Sequence, residues 1–392
     1  MIMNEPKVST RSRALRSVTL LAGTALMLIA SGCAAFRDDE GRPLTTMTPK
    51  GPGARMIDSL VVELFFWAAV VFVLVQGAVL VGMWKFRKRK NETEEQAKEP
   101  VQTHGNPKLE WTWTILPAIL LAYLSVDSIQ TLWDLEERKD DAITIEVIGQ
   151  QWWWEYRYDL NNDGAPEIIT ASQMVIPAGR QIELRIKSND VIHSFWIPEL
   201  NGKKDAIPGR INEWRLEADA PGLYQGTCTE FCGLSHAYMR MEVKALSAAD
   251  YEAWLENQQQ TPKTPAAGTP AAAGLEIFTA QCAACHQING IAPTGDTTDG
   301  TPNPNYPADL ASGNAPNLSH LMTRNKFAGN LFDLYTKGPD GALVPNESKM
   351  GEWLRDPTLL KPADAYSKRG MPNRNLDQEQ IDALVAYLNT LK

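Results

Sequence analysis

Two long apolar runs constrain this chain more than any other feature. Residues 60–84, "LVVELFFWAAVVFVLVQGAVLVGMW", and 111–132, "WTWTILPAILLAYLSVDSIQTL", can each cover a hydrocarbon core of ~30 Å as a helix. Hydrocarbon offers the backbone no hydrogen-bond partner, so a spanning run must satisfy its own amides, which a helix does. The second run is the weaker signal, with Pro117, Ser125 and Asp127 inside it. Such a run is expected to pack against other protein. "KFRKRK", residues 85–90, follows the first run at once, and the positive-inside rule puts that loop in the cytoplasm. A two-helix transmembrane hairpin over 57–135 follows, with everything after about residue 132 outside the membrane.

A third, shorter apolar run, residues 18–30, lies behind Lys7, Arg11, Arg13 and Arg16 and ends in "IASGC" at Cys33. A basic start, a short apolar core and small residues describe a secretory signal over 1–32. The cysteine resembles that of a bacterial lipobox, although Ala30 stands where Leu is more usual. On that reading Cys33 is acylated and held outside. A plain signal or anchor with an incidental cysteine is the alternative. Either way the chain sits in a bacterial inner membrane with its soluble part facing out. Net charge is −9, from 38 basic and 47 acidic residues, and there is no long basic stretch. Membrane lipid is therefore an expected partner and nucleic acid is not.

From 142 to 247 the pattern turns to short alternating stretches divided by Gly, Pro, Asn and Asp, among them "AITIEVIGQQWWWEYRYD", "VIHSFWIPEL" and "INEWRLEA". That predicts a small antiparallel β-sandwich or barrel. The Pro- and Ala-rich stretch 257–273 reads as a linker. Residues 274–392 form a separate region with helical ends. In the last segment Ile381, Leu384, Val385 and Leu388 recur at helical spacing, and Asp377 is placed to cap with Gln380 three residues on.

Two constellations carry chemistry. "GTCTEFCGLSHAYMRM" contains Cys228-x3-Cys232-x3-His236-x2-Met239. Two cysteines outside the cytoplasm can form a disulfide. Here a histidine and a methionine continue the spacing, and His193 lies upstream on a predicted strand end. Thiolate, imidazole and thioether together are copper ligands. Two thiolates exceed what a mononuclear blue-copper site takes and could bridge two coppers. The second constellation is "CAACH", residues 282–286, which in an exported chain reads as c-type haem attachment through Cys282 and Cys285 with His286 as iron ligand. Met322, Met350 and Met371 are candidates for the sixth ligand.

The copper stretch resembles the binuclear copper loop of cytochrome c oxidase subunit II, Cys-x-Glu-x-Cys-x3-His-x2-Met, with Glu230 in the glutamate position. "HSFWIPELNGKKDAIPGR" resembles the family segment carrying the other histidine. The resemblance implies that Cys228 and Cys232 bridge two coppers, that His193 and His236 bind one each, and that Met239 and the Glu230 carbonyl complete them. It also implies that the Glu230 carboxylate reaches a magnesium at the interface with subunit I. "QQWWWEYRYD" resembles the segment whose first tryptophan admits electrons, which maps to Trp152. "LEWTWTILPA" resembles the start of the second membrane helix, where Glu110 matches a glutamate at the entrance of the proton path. "RGMPNR" resembles the methionine loop of class I cytochrome c and singles out Met371 over Met350.

Together these segments resemble the caa3-type haem–copper oxidases. The fold implied is a transmembrane helical hairpin, an all-β cupredoxin-like sandwich and an all-α cytochrome c domain. The function implied is an electron relay from an external cytochrome c, or an upstream quinol:cytochrome c oxidoreductase, through haem c and copper A to oxidase subunit I. Oxygen reduction, coupled to proton translocation, takes place there. Copper delivery and a free-standing electron carrier are the alternatives, the former calling for a thioredoxin-like fold. All five cysteines then have a role: lipid on Cys33, copper on two and haem on two.

Overall fold

A computed structural model describes residues 44–87, 104–161, 163–164, 166–289, 315–364 and 369–392. The secretory segment, Cys33 and the end of the basic cluster lie outside the described residues. The two long apolar runs are helices, α1 (Pro52–Lys85) and α2 (Pro107–Glu136), each opened by a proline whose missing N–H has no helical partner to lose. The Asn106 side chain caps α2 by accepting from the amides of Lys108 and Leu109. Phe65, Phe72, Leu80, Leu116 and Leu121 all point outward, as expected of a surface made for lipid or for other apolar protein. Both helices are long and apolar enough to cross a membrane.

α1 begins and α2 ends on the β-region. The Ala54 amide donates to the Leu200 carbonyl at 3.0 Å, Arg55 pairs with Asp219, and Leu135 is buried in the β-core. The connecting end of the hairpin is therefore at the far end of both helices, about 45 Å away at the rise of an α-helix. Glu110 sits in the first turn of α2, at that far end.

The β-region is two sheets packed face to face. The first has the order β3–β2–β1–β5–β8, built from β1 (Ile143–Gln150), β2 (Trp153–Tyr158), β3 (Ile168–Ala171), β5 (Ile182–Ser188) and β8 (Asn212–Leu216). The second has the order β4–β10–β9, from β4 (Gln173–Pro177), β9 (Gly222–Thr227) and β10 (Arg240–Leu246). A short ribbon pairs β6 (His193–Phe195) with β7 (Lys204–Ala206). Trp154, Tyr156, Tyr158, Met174 and Phe195 fill the core, with the Trp154 and Phe195 rings edge to face at 5.4 Å.

The sandwich expected from the sequence is present, but it is not purely antiparallel. β1 runs parallel to β5, and β4 parallel to β10. The chain leaves the first sheet through β4 before returning as β5, so it re-enters in the same direction. A second difference concerns "AITIEVIGQQWWWEYRYD", which is two strands. Gln150 pairs with Trp153, and the chain reverses through Gln151 and Trp152.

Beyond β10, α3 (Ala248–Gln258) packs on the sandwich through Tyr251 and Trp254. The next helix, α4 (Pro270–Gln281), starts inside the stretch that composition marks as linker, because Thr269 accepts from the Ala272 amide and Pro270 occupies the first turn. The C-terminal region then adds α5 (Glu347–Arg355), α6 (Pro357–Leu360) and α7 (Gln378–Leu388), with short two-stranded ribbons between. Asp377 and Gln380 form the capping box that the sequence predicts. Ile381, Leu384, Val385 and Leu388 are all buried, each worth about 1.5–3 kcal/mol of transfer free energy at full burial. α4 crosses α7 at Gly274, where a side chain would run into the Ala383 carbonyl.

Candidate metal centre and haem cavity

The copper-ligand candidates converge at one end of the sandwich. β6 supplies His193, the loop after β9 supplies Cys228 and Cys232, and the turn before β10 supplies His236 and Met239. The two thiols are free and their sulfurs lie 3.9 Å apart. That exceeds a disulfide bond by nearly a factor of two. His193 Nδ1 is 4.0 Å from Cys228 Sγ, and His236 Nδ1 is 3.4 Å from Cys232 Sγ. Met239 Sδ lies 3.7 Å from Cys232 Sγ, and the Glu230 carbonyl lies 3.3 Å from Cys228 Sγ. Each sulfur thus has its own imidazole, and the six groups form one cluster. Cys228, Cys232, His193 and Met239 are buried.

Electrostatics favour a thiolate in this cluster. The hydrogen bond from Cys232 brings Cys228 down to about 4, helped by His193 and backbone amides and opposed by burial. The same bond, together with burial, pushes Cys232 up. A thiolate is the form that binds metal, and a bound cation would favour deprotonation of both sulfurs. The donor set fits copper: soft sulfur, imidazole and thioether.

Asp190 was not apparent from the sequence. It lies three residues before His193, and its Oδ1 is 2.7 Å from His193 Nε2. A carboxylate there accepts the Nε2 proton, which leaves the Nδ1 lone pair facing the sulfurs. Asp190 also accepts from the amides of Gln151, at 2.8 Å, and Val191, at 2.7 Å. Burial raises its pKa, but these bonds outweigh it and hold the carboxyl below its usual value. The signal was present in "NDVIH", a carboxylate three residues before a ligand, but carboxylates at that spacing are too common to read alone.

Trp152 joins this cluster to the C-terminal region. Its Nε1 donates to the Cys232 carbonyl at 2.9 Å, and Gln151 Nε2 donates to the same carbonyl at 2.7 Å. The indole also lines a cavity of about 510 Å³ whose other walls include Cys282, Cys285, His286, Arg324, Met350 and Met371. His286 Nδ1 donates to the Pro316 carbonyl at 2.9 Å, which fixes its tautomer and leaves Nε2 free as an iron ligand. Burial keeps that imidazole below its usual pKa. Two thiols, a neutral imidazole and two thioethers around one largely apolar hole suit a covalently held haem.

Both Met371 and Met350 reach this wall, whereas Met322 is buried elsewhere in the core. His320 is committed at both nitrogens, to the carbonyls of Lys392 at 2.9 Å and Gln260 at 3.1 Å. Glu110 is exposed at the far end of α2, remote from both sites, and Cys33 lies outside the described residues.

Comparison with known proteins gives a consistent picture. Residues 48–131 match the family described as the transmembrane domain of cytochrome c oxidase subunit II, and residues 143–246 match its periplasmic domain. Residues 271–392 match the cytochrome c family. A protein named cytochrome c oxidase subunit 2 from Alkalihalophilus pseudofirmus is 33% identical, over 94% of this chain and 95% of its own length. One of the same name from Bacillus sp. strain PS3 is 32% identical, again over 94% of this chain and 95% of its own. A crystal structure of the periplasmic domain of subunit II of cytochrome oxidase from Bradyrhizobium japonicum is 30% identical. It covers 31% of this chain and 96% of that one, with a TM-score of 0.29.

Proposed function

The chain belongs to the family of cytochrome c oxidase subunit II and carries a cytochrome c domain at its C-terminal end; from that premise we propose that it relays electrons from an external cytochrome c or quinol:cytochrome c oxidoreductase to oxidase subunit I. It would be anchored by a two-helix hairpin in a bacterial inner membrane, with residues 142–247 and 274–392 outside and subunit I beside the helices. Haem c and two coppers would supply one-electron redox chemistry with little change of ligand geometry. The rest of the task falls to the polypeptide.

The observation that carries this reading is the position of Trp152, with its ring on the haem cavity and its Nε1 hydrogen-bonded to the Cys232 carbonyl. One residue thus adjoins both the copper-ligand loop and the cavity, and Trp152 would serve as the point where electrons enter the copper half. Cys228 and Cys232 would bridge the metals. His193 and His236 would bind one copper each, and Met239 and the Glu230 carbonyl would complete the set. Asp190 holds the His193 Nε2 proton so that the opposite nitrogen can ligate. In the cytochrome half, Cys282 and Cys285 would carry the haem, with His286 and Met371 as axial ligands. Glu110 would stand at the cytoplasmic entrance of a proton path in subunit I, and the Glu230 carboxylate would reach a magnesium at the shared interface.

Copper delivery, the rival from another class, calls for a thioredoxin-like fold, and the two-sheet sandwich is a different one. An EPR spectrum of the purified full-length chain tests the central claim. One electron shared by two coppers gives a seven-line hyperfine pattern. A four-line mononuclear signal would refute the binuclear site.

A further inference from the structure

The cytochrome half does not merely hang from the sandwich; it is seated on it at the Trp152 turn. Lys361 follows α6, is partly buried, and reaches across the seam. Its Nζ donates to the Trp152 carbonyl at 2.6 Å and to the Ala328 carbonyl at 3.0 Å. One amine therefore ties a turn of the sandwich to a turn of the cytochrome half. Pro362, the next residue, accepts from Ser235 Oγ at 2.5 Å, and the Gly329 carbonyl accepts from the Arg240 amide at 3.3 Å. Gly329 is at φ +77°, and a Cβ there would press on Lys361 Nζ and lie 2.9 Å from the Trp152 carbonyl. Only glycine leaves the amine room to bridge.

We propose that Lys361 is the positioning residue of the relay, a latch whose amine clamps the Trp152 and Ala328 carbonyls so that the haem cavity stays seated over the Trp152 indole. This rests on the relay reading above. A tether alone gives a high effective concentration but many orientations. Transfer needs one orientation, and a partly buried donor shared by two carbonyls on opposite sides of the seam favours one, because sliding the seam would break both hydrogen bonds at once. Burial lowers the lysine pKa to about 7, and charged or neutral the amine can donate to both carbonyls. Lys361 belongs to neither proposed ligand set, but it lines the haem cavity and its charge reaches Cys232, so viscosity dependence is what separates docking from tuning of the centres.

The test uses the assembled oxidase containing the full chain. A light pulse reduces haem c, and its reoxidation is followed as the copper site is reduced. In the unaltered protein one fast phase, insensitive to solvent viscosity, is expected. In Lys361→Met the phase should slow by about tenfold or more, as loss of one doubly used, partly buried donor implies. It should also become viscosity-dependent, because re-seating now limits it. Hydrogen exchange should rise at residues 328–330, and the number of copper hyperfine lines should stay the same; the haem midpoint potential is measured alongside, because Lys361 lines that cavity. Lys361→Arg should restore part of the rate. Gly329→Ala, which wedges the seam from the other side, should act in the same direction and serves if Lys361→Met does not fold. Unchanged kinetics in the folded variants would overturn the latch. So would slowing that stays independent of viscosity, since Lys361 would then act through the potentials of the centres and not through seating. Failure of the unaltered protein to reoxidise haem c would sink the relay reading itself, and the latch with it.

Discussion

The copper end of the sandwich and the haem cavity solve the same problem in opposite ways. At the copper end the protein brings its donors into contact with each other, sulfur to sulfur at 3.9 Å and imidazole to sulfur at 3.4 and 4.0 Å. A hydrogen bond accepted by Asp190 and others donated by the Trp152 turn fix that cluster from behind. In the cytochrome half the donors stand apart on the walls of a cavity of about 510 Å³. A metal ion needs a small, preformed ligand set, and a macrocycle needs a shaped apolar volume. The first site can therefore be organised by polar contacts alone. The second depends on its prosthetic group for much of its packing.

That contrast breaks most readily at the haem. Replacing both attachment residues, Cys282→Ala with Cys285→Ala, should abolish covalent haem and leave residues 270–392 open to limited proteolysis. The copper hyperfine pattern should persist. Loss of both signals together would mean the halves fold as one unit. Next in size, Asp190→Asn should weaken copper retention by about 10–100-fold, measured by competition with a chelator, with little change in the far-UV circular dichroism. Retention at the unaltered level would show that the cluster needs no support from behind.

A smaller effect sharpens the haem side. Met371→Ala should lower the haem midpoint potential, since thioether ligation raises it. Met350→Leu, nearly isosteric, should leave the potential in place at a cost of under about 1.5 kcal/mol in stability. The reverse result would move the sixth ligand to α5. The smallest expected change is Asp377→Ala, which removes one member of the α7 capping box. It should cost the cytochrome half about 0.5–2 kcal/mol by chemical denaturation, with no effect on the sandwich.

Legibility in the sequence also differed between the two ends. The haem attachment is contiguous, so "CAACH" could be read directly. α7 was equally plain, because its apolar spacing and its capping pair are both local. The copper loop was only partly legible: it needed His193 from about thirty-five residues upstream, and Asp190 stood out only by a spacing too common to read alone. The strand pattern was right in kind, but parallel β1–β5 pairing depends on where the chain goes between those strands, which no short window records. The aromatic run hid its own turn, since Gln151 and Trp152 are not turn-forming types. The helix start at Pro270 was hidden by a composition shared between linkers and alanine-rich helices.

The amino-acid sequence by itself determined the elements whose causes are local. These are two long apolar helices, an alternating β-region, a Cys-x-x-Cys-His motif and a capped terminal helix. Tertiary structure alone decided which surfaces meet. It turned the chain at Trp152, set that indole between the Cys232 carbonyl and the haem cavity, placed Asp190 behind His193, and laid Lys361 across the seam. Each of these is a contact between residues distant in the chain or facing across a turn. Burying a polar group costs free energy unless it finds a partner, and whether it finds one depends on the whole fold.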